Sequence, residues 1–250
     1  LSAVLVIWEL FPLFVGVPSY VFPRPSEALT ALWQARELLK QHLLVTAAES
    51  VAGFFLGGLV GFTTGLCMAQ WPTVRRTILP YVVASNAIPV VAIAPIVVLW
   101  FGHGLWSKCV VAAFLCFFPS AINTYRGLTE YEPIYSEIFR VYAATPVQFL
   151  VKFQLPNAAP FVFAGMRLSA TFAVIGAIVA EFVGSDRGLG FGMLQATYNL
   201  NTPRLYGYLI VSCILGVLMY GAVVLVEHLL FPLTRPSNRV STNGRLPSAG

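Results

Sequence analysis

"LLVTAAESVAGFFLGGLVGFTTGLCMA", Leu43–Ala69, carries a single acidic or basic side chain, Glu49. A helix needs about 20 mostly apolar residues to cross the hydrocarbon core of a bilayer, and this stretch meets that requirement. Five further runs qualify, near Leu1–Val17, Ile78–Phe101, Ser107–Thr124, Pro160–Val183 and Leu205–Phe231, the first of them short. A membrane β-barrel would instead show alternating segments of roughly ten residues. The expected fold is therefore all-α, a polytopic membrane protein with about six transmembrane helices.

Composition agrees with that reading. Of 250 residues, 58% are hydrophobic and only 10% charged, with a mean hydropathy of +0.78; soluble domains carry about a quarter charged residues. The net charge of +5 is scattered apart from Arg75-Arg76, which gives no nucleic-acid surface and fits contact with membrane lipid headgroups. Cys67, Cys109, Cys116 and Cys213 stand singly in apolar runs and read as packing residues. His42, His103 and His228 share no metal-ligand spacing. The chain opens in "LSAVLVIWEL" without a basic leader or start methionine, so an amino-terminal tail is expected before it. Residues 1–233 read as the transmembrane domain and 234–250 as a disordered cytoplasmic tail.

Lys and Arg counts in the loops set orientation. Eight fall on one side (Arg75, Arg76, Arg126, Arg140, Lys152, Arg235, Arg239, Arg245) and six on the other (Arg24, Arg36, Lys40, Lys108, Arg187, Arg204). The bias places both ends and the long loop 126–157 in the cytoplasm. Within that loop lies "EIFRVYAATPVQFLVKFQLP" (Glu137–Pro156). Ile138, Val141, Tyr142 and Thr145 fall at i, i+3, i+4 and i+7, one apolar helical stripe, with Glu137, Arg140 and Ala144 on another face. Pro133 suits a first helical turn, and Pro146 disfavours helix at Thr145. The pattern alone leaves two readings open: a helix lying among headgroups or a knob docking in a groove of another protein.

The run from Glu137 through Leu155-Pro156 to "FAGMRLS" (Phe163–Ser169) resembles the signature loop of ATP-binding-cassette importer permeases. In that family a Glu-Ala-Ala triplet precedes a glycine, then Leu-Pro and a Gly-x-Arg-Leu helix start. Here Glu137, Leu155, Pro156, Pro160, Gly165, Arg167 and Leu168 fit, whereas Ile138-Phe139 replaces the alanines and Ala143 the glycine. "SNAIPVVAIAPIVVLWFG" (Ser85–Gly102), "FFPSAINTYRGL" (Phe117–Leu128) and "VAEFVGSDRGLGFGMLQA" (Val179–Ala196) are similar to the branch serving nitrate, sulfonates, taurine and vitamin precursors. The last segment is nearest to thiamine-pyrimidine or riboflavin-type relatives.

The resemblance implies a type I importer permease fold in a prokaryotic inner membrane, with a cytoplasmic coupling helix between spans four and five. It implies residues Glu137, Ile138, Phe139, Arg140, Val141, Tyr142, Ala143, Ala144 and Thr145 seated in an ATPase subunit. It also implies a second permease copy and a periplasmic or lipid-anchored substrate-binding protein. ATP and Mg would sit on the ATPase partner, with no cofactor on this chain. In keeping with this, the sequence holds no G-x-x-x-x-G-K-[ST] phosphate loop; "GHGLWSK" (Gly102–Lys108) reads as a turn and "GLGFG" (Gly188–Gly192) as a loop entering the bilayer edge. No nucleophile–base arrangement names a catalytic group.

Polar residues inside spans are costly and mark pathways or packing. Asn86, Pro89 and Pro95 are expected to break the third span, and Pro119 and Asn123 the fourth. A path lined by Ser85, Asn86, Pro89, Asn123, Ser169 and Glu181 is expected; Glu181 serves either a pore mouth or an ion pair with Arg187. The candidate lining holds no Lys or Arg. A planar heterocycle thus fits Phe117, Phe118 and Phe172 better than a sulfonate, taurine or nitrate anion does. The alternative, an ATP-independent transporter or channel, would call for inverted repeats or a charge relay, and neither is visible.

Overall fold

The computed structural model describes residues 2–16 and 18–230, and every regular element in them is helical. In chain order these are α1 (Ser2–Val15), α2 (Pro25–Gln34), α3 (Arg36–Gln70), α4 (Pro72–Ala87), α5 (Val90–Phe101) and α6 (Leu105–Thr129). Then follow α7 (Pro133–Val141), α8 (Pro146–Phe149), a π-helical turn (Leu150–Gln154), α9 (Leu155–Gly184), α10 (Leu189–Tyr198) and α11 (Thr202–Leu230). The expected tail 234–250 lies outside the described residues.

Four helices are long and apolar enough to cross a membrane: α3, α6, the continuous run Pro146–Gly184, and α11. The pair α4–α5 is apolar enough to add a fifth when taken together and is bent by 102° at its break, the geometry of a broken span or a re-entrant loop. At 14 residues, α1 reaches about 21 Å, short of a bilayer core of about 30 Å. The bend falls where expected. Pro89 holds Ile88 extended (φ −80°, ψ 123°) and caps α5, so the helix stops at Ala87 and restarts at Val90.

The fourth span departs from expectation, because α6 runs unbroken through Pro119 and Asn123. Here the Asn123 side-chain amide donates to the Pro119 carbonyl at 2.8 Å, and tight packing on two sides holds the helix straight. Pro95 likewise sits inside α5 without breaking it.

That packing is the core of the protein. Gly53, Gly57, Gly61 and Gly65 recur every fourth residue along one face of α3. A Cβ on Gly61 would lie 2.6 Å from the Phe117 carbonyl, and one on Gly65 2.6 Å from the Ala121 carbonyl. Gly53 and Gly57 are closed off in the same way by Ala112 and Ala113. On the other side of α6, a Cβ on Gly176 of α9 would meet the Ala112 Cα at 2.7 Å. Helices in lipid associate through such backbone approach and through polar contacts, since the tails are as apolar as leucine. Ser120 donates to the Gly58 carbonyl at 2.8 Å, and Ser169 to the Cys116 carbonyl at 2.9 Å. Outward faces carry Phe55, Leu59, Leu99 and Val217, all well exposed as lipid contact requires.

Neighbouring glycines give a direct test. Gly57→Val drives a side chain into the Ala113 backbone and should abolish recovery of folded protein, whereas Gly58, facing open space, should accept alanine with its melting temperature in detergent unchanged or raised.

Candidate functional site

The loop between α6 and α9 is a built element rather than a connector. Glu132 is extended and Pro133 opens α7, where a missing N–H costs nothing. The helix ends in a Schellman motif: Ala144 N–H bonds the Phe139 carbonyl at 3.0 Å and Ala143 N–H the Arg140 carbonyl at 3.0 Å. Ala143 takes φ +48°, the left-handed conformation that glycine adopts freely. This is the position where the permease pattern has its glycine, so the turn is kept at the cost of mild strain. Thr145 then caps α8: its hydroxyl accepts from Gln148 N–H at 3.3 Å while its own N–H bonds Gln148 Oε1 at 2.9 Å. The expected stripe is corrected there, since Thr145 starts a new helix and does not extend the face of Ile138, Val141 and Tyr142.

Five aromatic rings lock α7 against the returning chain. Tyr135 stacks on Phe153 (centroids 4.9 Å), Phe149 on Phe153 (5.4 Å), and Phe139 meets Phe149 at 5.1 Å. Tyr131 stands edge-on to both Phe149 and Phe153 at 5.6 Å. Such pairs are worth about 0.5–1.5 kcal/mol each beyond their buried area. Phe139, which replaces a family alanine, therefore points inward as a structural member of this stack. The other face is apolar and open. Val141 is 83% and Tyr142 81% exposed, with Ile138, Val147 and Val151 also outward. Beside them runs a groove of about 390 Å³ lined by Ile138, Phe139, Tyr142, Ala144, Gln148 and Lys152. Glu137 and Arg140 are exposed at its flank.

The six residues expected to line a path separate into two groups. Asn86 and Pro89 are exposed at the α4–α5 bend, Ser85 donates to the Val82 carbonyl at 2.7 Å, and Asn123 is half-buried on α6. Ser169 is fully buried in the α6–α9 seam, and Glu181 is 1% exposed. Neither faces open space in this protomer.

Glu181 is instead the centre of a polar knot that joins α9 to α3 and α10. It accepts from the Thr46 hydroxyl (2.6 Å) and Gly190 N–H (2.6 Å). Leu189 N–H reaches the Thr46 hydroxyl at 2.7 Å and Gly188 N–H the His42 Nδ1 at 3.0 Å. Lys108 donates to the carbonyls of Gly184 (2.8 Å) and His103. Gly188 has φ +110°, and a Cβ there would overlap the Glu181 carboxylate. The "GLGFG" glycines thus wrap a side chain. Arg187 turns outward to Asp186 at 3.9 Å and leaves Glu181 to these partners.

Sequence reading missed Thr46, His42, Lys108 and the glycine donors as one group, although four ionisable groups in apolar runs were a signal. Arg167 of α9 pairs with Glu227 of α11 at 3.7 Å.

With this geometry in place the comparisons are clear. Residues 53–232 match the family described as binding-protein-dependent transport system inner membrane component. The formylaminopyrimidine transport permease protein ThiX of Halalkalibacterium halodurans is 34% identical over 91% of this chain and 91% of its own length. The riboflavin transport system permease protein RibX of Chloroflexus aurantiacus is 34% identical over 92% of this chain and 87% of its own. A solved inward-facing structure of the MetNI methionine ABC transporter shares the fold, with a TM-score of 0.70 at 22% identity, covering 79% of this chain and 98% of the other. The class is that of multi-pass inner-membrane transport subunits. Within it, the chain belongs to the binding-protein-dependent permease family of ABC importers.

Two substitutions probe the loop and the knot. Ala143→Gly should relieve left-handed strain and raise stability by up to about 1 kcal/mol, and Ala143→Val should lower it, as measured by thermal unfolding. Glu181→Ala strands buried donors at about 1–3 kcal/mol each and should sharply reduce the melting temperature; Glu181→Gln, which keeps one acceptor oxygen, should be milder.

Proposed function

We propose that this permease forms the path for a small solute handed over by a substrate-binding protein, and that ATPase subunits drive it through the apolar tip of Ile138, Val141 and Tyr142. The observation that carries this reading is the tip itself. Val141 and Tyr142 stand more than four-fifths exposed, with Ile138 beside them, on a helix that five packed aromatic rings hold rigid. A helix lying among headgroups would want a Lys/Arg-rich polar face, and α7 carries one arginine and one glutamate. A rigid apolar knob suits a groove in a cytoplasmic protein. ATP and Mg belong to that protein, and a second copy of this chain completes the path, bordered by Asn86, Pro89 and Asn123.

For the solute we favour a planar heterocycle of the aminopyrimidine or flavin kind, in line with what ThiX and RibX are named for. The polar residues left at the bend are neutral amides and hydroxyls, which suit such a molecule better than a sulfonate. Reconstitution with the cognate ATPase and binding protein tests both parts. Uptake should require ATP and the ATPase, and Val141→Glu should abolish ATPase association with the permease still folded. Uptake that continues without the ATPase would overturn the coupling; tight binding of taurine or nitrate by the cognate binding protein would overturn the choice of solute.

A further inference from the structure

The proposed function, on which this inference rests, puts work into the chain at α7 and takes it out in the spanning helices. A connection must carry displacement between the two. Covalently, the returning path is the π-helical turn Leu150–Gln154 between α8 and α9. Single π-turns are rare and cluster at functional positions. This one stands where Pro156 lacks the N–H that would bond the Lys152 carbonyl, so the helix is at its weakest there. A weak turn absorbs motion unless something ties it to the bundle.

Gln154, its last residue, is polar yet only 6% exposed. Both ends of its amide are engaged. Nε2 donates to the Leu128 carbonyl at 2.9 Å, and Oε1 accepts from the Gln70 side chain at 3.1 Å. Leu128 lies in the last turn of α6, where carbonyls have no partner within the helix, and it is fully buried. Gln70 is the final residue of α3. One side chain thus spans the ends of the two helices that form the glycine seam. Among the described residues, the other side-chain hydrogen bond between the loop and a spanning helix is the exposed Arg126–Glu130 pair one turn apart, which links α6 only to its own continuation.

We infer that Gln154 is a positioning residue of the transport cycle: its amide makes movement of α7 into movement of the α3 and α6 ends, instead of flexing of the π-turn. Only a side chain with both a donor and an acceptor meets both partners. Leucine fills the space but makes neither bond. Glutamate keeps an acceptor for Gln70 and sets a carboxylate against the Leu128 carbonyl.

The test uses the complete complex in proteoliposomes, with ATP hydrolysis and ATP-driven uptake measured together, and radiolabelled formylaminopyrimidine, riboflavin and taurine as probes. Gln154→Leu, which loses both hydrogen bonds, should keep hydrolysis within about twofold and lower uptake per ATP by about tenfold; Gln154→Glu, which loses the bond to Leu128 and keeps the one to Gln70, should lower it by at least about threefold. Gln70→Leu, which removes one bond, should lower the ratio by about threefold. If the Gln154 variants fail to assemble, Gln70→Leu decides alone. Uptake and hydrolysis falling in parallel, or an unchanged ratio, would overturn the inference. A wild-type complex that takes up none of the three solutes overturns the proposed function instead, so the two failures are told apart.

Discussion

Everything in this protein is arranged around the distance between α3 and α6. In lipid there is no hydrophobic gain from pressing two apolar helices together, so the backbones must come close enough for dispersion and polar contacts to hold them. Gly53, Gly57, Gly61 and Gly65 give that approach on one side of α6, and Gly165 and Gly176 on the other. The middle helix is held so closely that a proline within it produces no break. Elements with no such seam, α4 and α5 above all, are free to bend.

From this the two ends of the molecule acquire different characters. At one end, Glu181 and its partners fasten the α9–α10 turn to α3 through buried bonds that have no alternative in hydrocarbon. At the other, α7 is joined to the bundle by stacked rings and a single amide, and its apolar face is left without cover. A transport subunit needs both: a closed frame and a handle another protein can grip.

Much of this was legible in sequence, and the failures have physical causes. Apolar length found α3, α6 and α11; Pro133 and Pro146 marked the borders of α7 and α8; Ala143 lined up with a glycine, and its left-handed backbone explains why glycine is the usual choice. Proline signals misled in α6 because Pro119 and Pro89 look alike locally, and only packing on both sides separates them. Apolar length placed the start of the fifth span near Pro160, yet a π-turn accommodates Pro156 and carries the helix back to Pro146. The glycines of α3 stood four apart in plain view. Their meaning lay in a partner helix nearly sixty residues on, which spacing alone does not name. Ser169 and Glu181 were read as pathway residues since polarity in a span has two uses, and the structure places both among buried packing and hydrogen-bond partners.

The rod from Pro146 to Gly184 has 39 residues, about 58 Å at 1.5 Å per residue. That is nearly twice the thickness of a bilayer core of about 30 Å. Unless tilt takes it up, that surplus is long enough to carry the terminal portion past the headgroups. A membrane thicker or thinner by a few ångströms therefore changes only how far up the shaft the lipid reaches. The shape offered beyond it stays the same, and the subunit can keep one mating surface while its host remodels its lipids with temperature or growth phase.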